Sequence, residues 1–168
     1  GNYFNEVNDG IFIRNRERPL EDLACEEVTG WRECVEILSA MSADDLCDPQ
    51  KFAWLEGHAM VERALGNMGW HPESHFADYL VKQGELEKAA AMQEKFTRDI
   101  MQFDTWRSNA IYNLGCFYAL NGKPEKAIEC VKEAFDMPDG KRLVEWSRQD
   151  SDLDAIRGEA AFKALFAE

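Results

Sequence analysis

Three histidines and five cysteines are the residues of this chain whose types best suit chemistry. The stretch HPESH sets His71 and His75 four residues apart, a spacing that presents two imidazoles on one helical face, as zinc sites do. With His58, a three-histidine cluster would make a small metal-dependent helical enzyme one reading of the sequence. Two features weigh against it: Pro72 pushes His71 out of helical geometry, and the glutamate of a zinc-protease helix motif is missing from its place. His58 falls on an apolar stripe and reads as an interior, hydrogen-bonded histidine. The expectation is no metal and no cofactor.

Cys25, Cys34, Cys47, Cys116 and Cys130 form no C-x-x-C pair, and an odd number cannot all close internal disulfides. Cys25 and Cys34 lie nine residues apart, and Cys116 and Cys130 face each other across an expected hairpin, so a redox role is one option. Reduced, mostly buried thiols in a cytoplasmic protein are the simpler expectation. The chain has no glycine-rich phosphate loop and no G-x-S-x-G elbow, and no carboxylate pair stands out among 32 acidic residues. These residues give no catalytic assignment.

Charge narrows the partners. With 19 basic and 32 acidic side chains the net charge is −13, which repels nucleic acid and anionic membrane surfaces. Residues 1–104 hold 10 basic and 21 acidic groups against 9 and 11 in the remainder, so the acidity sits in the first two thirds. No apolar run reaches the roughly 18–20 residues of a membrane span. A start at Gly1 rather than Met is compatible with removal of a leader or an upstream segment.

The elements that must carry any site read as helices throughout. Leu20, Ala24, Val28, Trp31, Val35 and Leu38 recur at helical spacing, and a second helix from Gln50 to Asn67 is expected to be sandwiched, with Trp54, His58, Val61, Leu65 and Met68 on one stripe. GNMGWHP is expected to break that helix. A short helix then runs from Glu73 to Lys82, followed by one of roughly 18 residues from Glu85. A pair follows at Trp106–Asn121 and Pro124–Met137, and three short helices close the chain. Residues 1–19 read as an extended arm. The expected fold is all-α, one domain of antiparallel helix hairpins stacked as a short right-handed α-solenoid. Its parts are a divergent hairpin at 20–68, repeats at 73–104 and 106–138, and a helical cap at 140–168.

The repeat has a period. An offset of 38 residues puts Gly84 over Gly122 and Glu87-Lys88-Ala89 over Glu125-Lys126-Ala127. Ile111, Leu114-Gly115, Tyr118, Gly122, Ala127, Val131, Ala134 and Pro138 make residues 109–138 resemble a tetratricopeptide repeat, with Ile for the usual Trp, Val for the aromatic, and the proline one residue early. The earlier copy matches at Ala77, Gly84 and Ala89 and departs at Gln93 and Phe96. Asp152, Leu153, Asp154, Ile156, Arg157, Phe162 and Leu165 look like the tail that often closes bacterial arrays of this family.

The small residues at Gly115, Ala127 and Ala134 let two helix backbones approach closely. On the first helix of the pair, Ile111, Leu114, Gly115 and Tyr118 form one stripe, while Asn109, Tyr112, Asn113 and Cys116 form another nearly opposite. The resemblance implies that this second stripe lines a concave groove, where an asparagine amide holds an extended peptide backbone. Asn113 leads, with Asn109, Tyr112, Arg107 and Cys116 near it; the alternative is that Asn113 ties neighbouring helices together. The family's grip on a terminal carboxylate, built from several Lys, Arg and Asn groups, has no full counterpart here. The sequence thus points to a non-catalytic protein- or peptide-binding module. Self-association through Trp54, Trp70, Trp106 and Trp146, giving a homodimer, remains open beside it.

Overall fold

The structure, a computed structural model, describes residues 2–166; Gly1, which opens the expected arm, and Ala167 and Glu168, which end the expected cap, lie outside the described residues. Most of the described residues are helical, and no strand occurs among them. The chain divides into two compact units, Gly1–Met60 and Val61–Glu168.

In the first unit the expected extended arm is a helix, α1 (Asn2–Asn15), and a short turn leads to α2 (Leu20–Ser39). Arg18 in that turn forks both guanidinium nitrogens onto the Glu26 carboxylate at 2.9 and 2.7 Å. Periodicity missed α1 because its apolar residues do not gather on one helical stripe. α3 (Ala43–Cys47) starts on Ser42, whose hydroxyl accepts from the Asp45 amide. The continuous helix expected from Gln50 does not form. Asp48 takes the Gln50 amide, and a single 3₁₀ turn at Ala53–Leu55 ends where Glu56 and Gly57 both adopt positive φ, 53° and 86°. Trp54 is left 70% exposed rather than sandwiched. Cys25, Cys34 and Cys47 are all exposed, contrary to the expected burial of thiols.

The second unit holds the core. α4 (Met60–Ala64) runs into a widened π turn at Leu65–Trp70 and on into α5 (His71–Lys82), so the break expected at GNMGWHP is missing. Trp70 and His71 keep right-handed helical dihedrals although Pro72 follows. A widened turn on the N-terminal side is a recognised way to fit a proline ring, which otherwise strikes the carbonyl four residues back. α6 (Leu86–Ile100), a 3₁₀ turn at Asp104–Trp106, α7 (Arg107–Leu120) and α8 (Pro124–Asp136) follow. Then come α9 (Lys141–Ser147), a 3₁₀ turn at Ser151–Leu153 and α10 (Ala160–Ala164), so the middle one of the three short closing helices, expected from Asp152 to Arg157, is only a turn.

α5 packs on α6 and α7 on α8, and α6 joins the two hairpins by packing on α7. Both hairpins reverse in the same way. The Gly84 amide bonds Val81 O while the Glu85 amide reaches back to Leu80 O; 38 residues on, the Gly122 amide bonds Ala119 O and the Lys123 amide reaches Tyr118 O. Both glycines sit at positive φ, 78° and 68°, as this helix-ending motif requires. Gly115 has a different role: a Cβ there would lie 3.0 Å from Val131 Cγ2 and 3.2 Å from Ala127 O, so a side chain would press α7 against α8 where the hydrogen lets them close. Ala127, Val131 and Ala134 are fully buried opposite.

Candidate functional site

α7 is buried around nearly its whole girth, because α6 and α8 cover one side and the segment after α9 covers another. A groove of about 550 Å³ opens beside it, lined by Asn109, Tyr112, Asn113 and Cys116 of α7, Trp70 ahead of α5, Arg142, Leu143 and Trp146 of α9, and Asp150 and Asp152 beyond it. Four of the five expected partner-binding residues, those of the second stripe, are therefore together. The fifth, Arg107, is engaged elsewhere: Nε donates to Met101 O at 2.8 Å and Nη2 pairs with Asp104 at 2.6 Å, so it holds the loop into α7.

The stripe is not uniformly open, as had been expected. Tyr112 and Cys116 are 3% and 6% exposed, whereas Asn109 and Asn113 are half-buried. The cause is Asp150. Its Oδ2 accepts from the Tyr112 hydroxyl at 2.8 Å and the Trp146 indole at 3.0 Å, with the Cys116 thiol at 3.8 Å. Its Oδ1 caps the following turn by accepting from the Asp152 amide, and its carbonyl accepts from Arg157 at 2.7 Å. Arg157 also donates to Ser147 O and Arg148 O, which pins the segment behind the groove. Leu153, Ile156 and Phe162 are buried beneath it. Sequence periodicity had no means of finding Asp150, since a carboxylate in a loop carries no repeat signal.

The electrostatics of the site suit holding rather than reacting. Burial first, and then the Asp150 bond, push the Tyr112 phenol far above its ordinary range. Burial, then Asp150 and Asp152, do the same to the Cys116 thiol, so it stays protonated and is a poor nucleophile. Burial pushes Cys130 up to about 11. Asp150 and Asp152 make one end of the groove acidic, and burial first, then Asp150 and Asp78, raise the Asp152 carboxyl. Against these bonded groups stand the Asn109 and Asn113 side-chain amides, which make no hydrogen bond among the described residues.

No three metal-ligating side chains converge among the described residues. His58 is exposed and outside any helix, in the first unit, rather than interior on an apolar stripe. His71 and His75 do meet on α5, with Nε2 atoms 3.2 Å apart, because His71 is helical after all. At Zn–N bonds of about 2.0–2.1 Å, those nitrogens would subtend roughly 100–105° at a metal, a usable angle that supplies two of the four ligands a structural zinc takes.

Comparison with family models, with curated proteins and with solved structures finds no match to the chain.

Proposed function

We propose that this chain is a non-catalytic, cytoplasmic interaction module of divergent tetratricopeptide type, which holds an extended segment of a partner protein in the groove beside α7. The observation that carries the reading is the pair of unspent amides. Asn109 and Asn113 lie four residues apart on one helix, about 6 Å along its axis. An extended chain repeats on one side every second residue, about 6.6 Å, so the two amides fit alternate peptide units of such a chain. Each amide offers a donor and an acceptor, which is what a peptide unit needs.

Trp70 and Trp146 supply apolar walls, and Asp150 and Asp152 set an acidic end that disfavours a terminal carboxylate and favours a chain-internal segment. A metal-dependent enzyme finds less support, since among the described residues no third metal-ligating side chain joins His71 and His75 on their exposed helix face.

Selection of random peptides on the immobilised chain tests the reading. Enriched sequences should bind with at least tenfold loss on Asn113→Ala and a smaller loss on Asn109→Ala, with unchanged helicity. A several-degree fall in Tm with Asn113→Ala would instead make that residue a structural tie, and no enrichment at all would sink the groove as a peptide site.

A further inference from the structure

The groove leaves the first unit without a task, yet α2 carries an apolar stripe that its own unit does not bury. α2 spans 20 residues and none is buried; Val28, Trp31 and Val35 are 48%, 45% and 43% exposed. A helix whose apolar face has no cover gains little from packing, which is where most helical stability comes from. A surface groove of about 500 Å³ runs along this face, lined by Glu27, Val28, Trp31, Arg32, Val35 and Glu36.

We propose that α2 pairs with the α2 of a second copy of this chain, parallel and in register. The spacing of Ala24, Val28, Trp31, Val35 and Leu38 is four, three, four, three, the alternation of a coiled-coil seam rather than of a wide core-facing stripe. Val28 and Val35 then occupy the positions where β-branched residues favour two parallel strands, and Trp31 and Leu38 the positions between.

The flanking charges choose the partner and its direction. Glu27 and Arg32 border the seam on opposite sides, and neither makes an ion pair or side-chain hydrogen bond among the described residues. Five residues apart, they are poorly placed to pair along their own helix, where neighbours are three and four apart. In a parallel in-register pair, Glu27 of each copy faces Arg32 of the other, and two-fold symmetry makes the contact twice. An antiparallel pair would set Glu27 against the flank holding Leu20 and Cys34, and a one-heptad slip would set it against Cys25; both forfeit the charge match. The seam covers only about two heptads, so the dimer is weak and dissociates on dilution.

Sedimentation equilibrium of the full chain over a range of concentrations is the test, because one charge swap can be undone by the other. The expected result is a monomer–dimer equilibrium weakened roughly tenfold by Glu27→Arg alone and by Arg32→Glu alone, as two attractive contacts become repulsive. The double variant Glu27→Arg/Arg32→Glu should return to the original dissociation constant. Circular dichroism of each variant separates loss of pairing from loss of folding. A chain that stays monomeric at every concentration overturns the proposal, and so does a dimer indifferent to the single swaps or not rescued by the double one. A monomer whose Trp31 fluorescence is shielded from acrylamide would show that the chain covers this face itself, which also overturns it. Peptide selection on Asn113 is read separately and is unaffected by either outcome.

Discussion

α2 and α7 are both helices rich in apolar residues, and they end in opposite states. α2 runs for 20 residues with none buried, whereas α7 runs for 14 with ten buried. The difference lies in their neighbours. α7 is met by α6, by α8 and by the turn at Ser151–Leu153, so its girth is filled from several directions. α2 has a single narrow stripe, of the width one partner helix covers. A periodic pattern fixes where an apolar face points, and the supply of covering elements decides whether it becomes core.

The largest expected effect comes from uncovering α7. Deleting residues 150–168 removes Asp150 and the buried Leu153, Ile156 and Phe162, and should give an aggregating, poorly folded chain by size-exclusion chromatography and thermal melting. A shortened chain that stayed monomeric and equally stable would mean that this segment does not cap α7. The milder Phe162→Ala should cost about 3–5 kcal/mol in chemical denaturation. Next comes the α7–α8 contact. Gly115→Leu should cost about 1–3 kcal/mol by overpacking against Val131 and Ala127, with no change in Tm marking the contact as slack.

A smaller effect is expected at the join between hairpins, where the Tyr118 hydroxyl donates to Glu94 and Lys126 reaches the same carboxylate at 3.3 Å. The Tyr118 bond first, and Lys126 after it, hold the Glu94 carboxyl below its usual 4.5 against an opposing burial effect, while burial and Glu94 push Tyr118 up to about 12. A carboxyl that is more acidic in the folded state contributes stability above pH 4.5 and loses it as the pH falls through the folded value. Glu94→Gln should therefore flatten the fall of Tm below pH 4.5, and an unaltered acid limb would remove Glu94 from the account. Smallest of all is Trp31→Ala in α2. Measured at dilution, it should shift monomer stability by less than about 0.5 kcal/mol, where a buried tryptophan would cost about 3–5 kcal/mol.

Much of the second unit was legible because helical periodicity and turn glycines are local signals. Lys82 and Leu120 end helices, and Leu86 and Pro124 begin them, at the same 38-residue offset that Gly84 and Gly122 suggest. The first unit was read less well. α1 is a helix where an extended arm was expected, and the helix expected from Gln50 fails where Glu56 and Gly57 turn left-handed. At the candidate site the sequence located Asn109, Tyr112, Asn113 and Cys116, but misplaced Arg107 and missed Asp150. Both depend on which loop lies next to α7, and loops leave no period.

By itself, then, the sequence determined the all-helical character, the 38-residue repeat and the face of α7 on which two asparagines stand, because each follows from residue type and spacing within a few turns of chain. Only the tertiary structure decided which of that face's side chains are buried and which amides remain unspent. The burial of Tyr112 and Cys116 goes with a carboxylate 38 residues from Tyr112, that of Asp150, carried on a segment whose Leu153, Ile156 and Phe162 pack into the core, which no local pattern on α7 encodes.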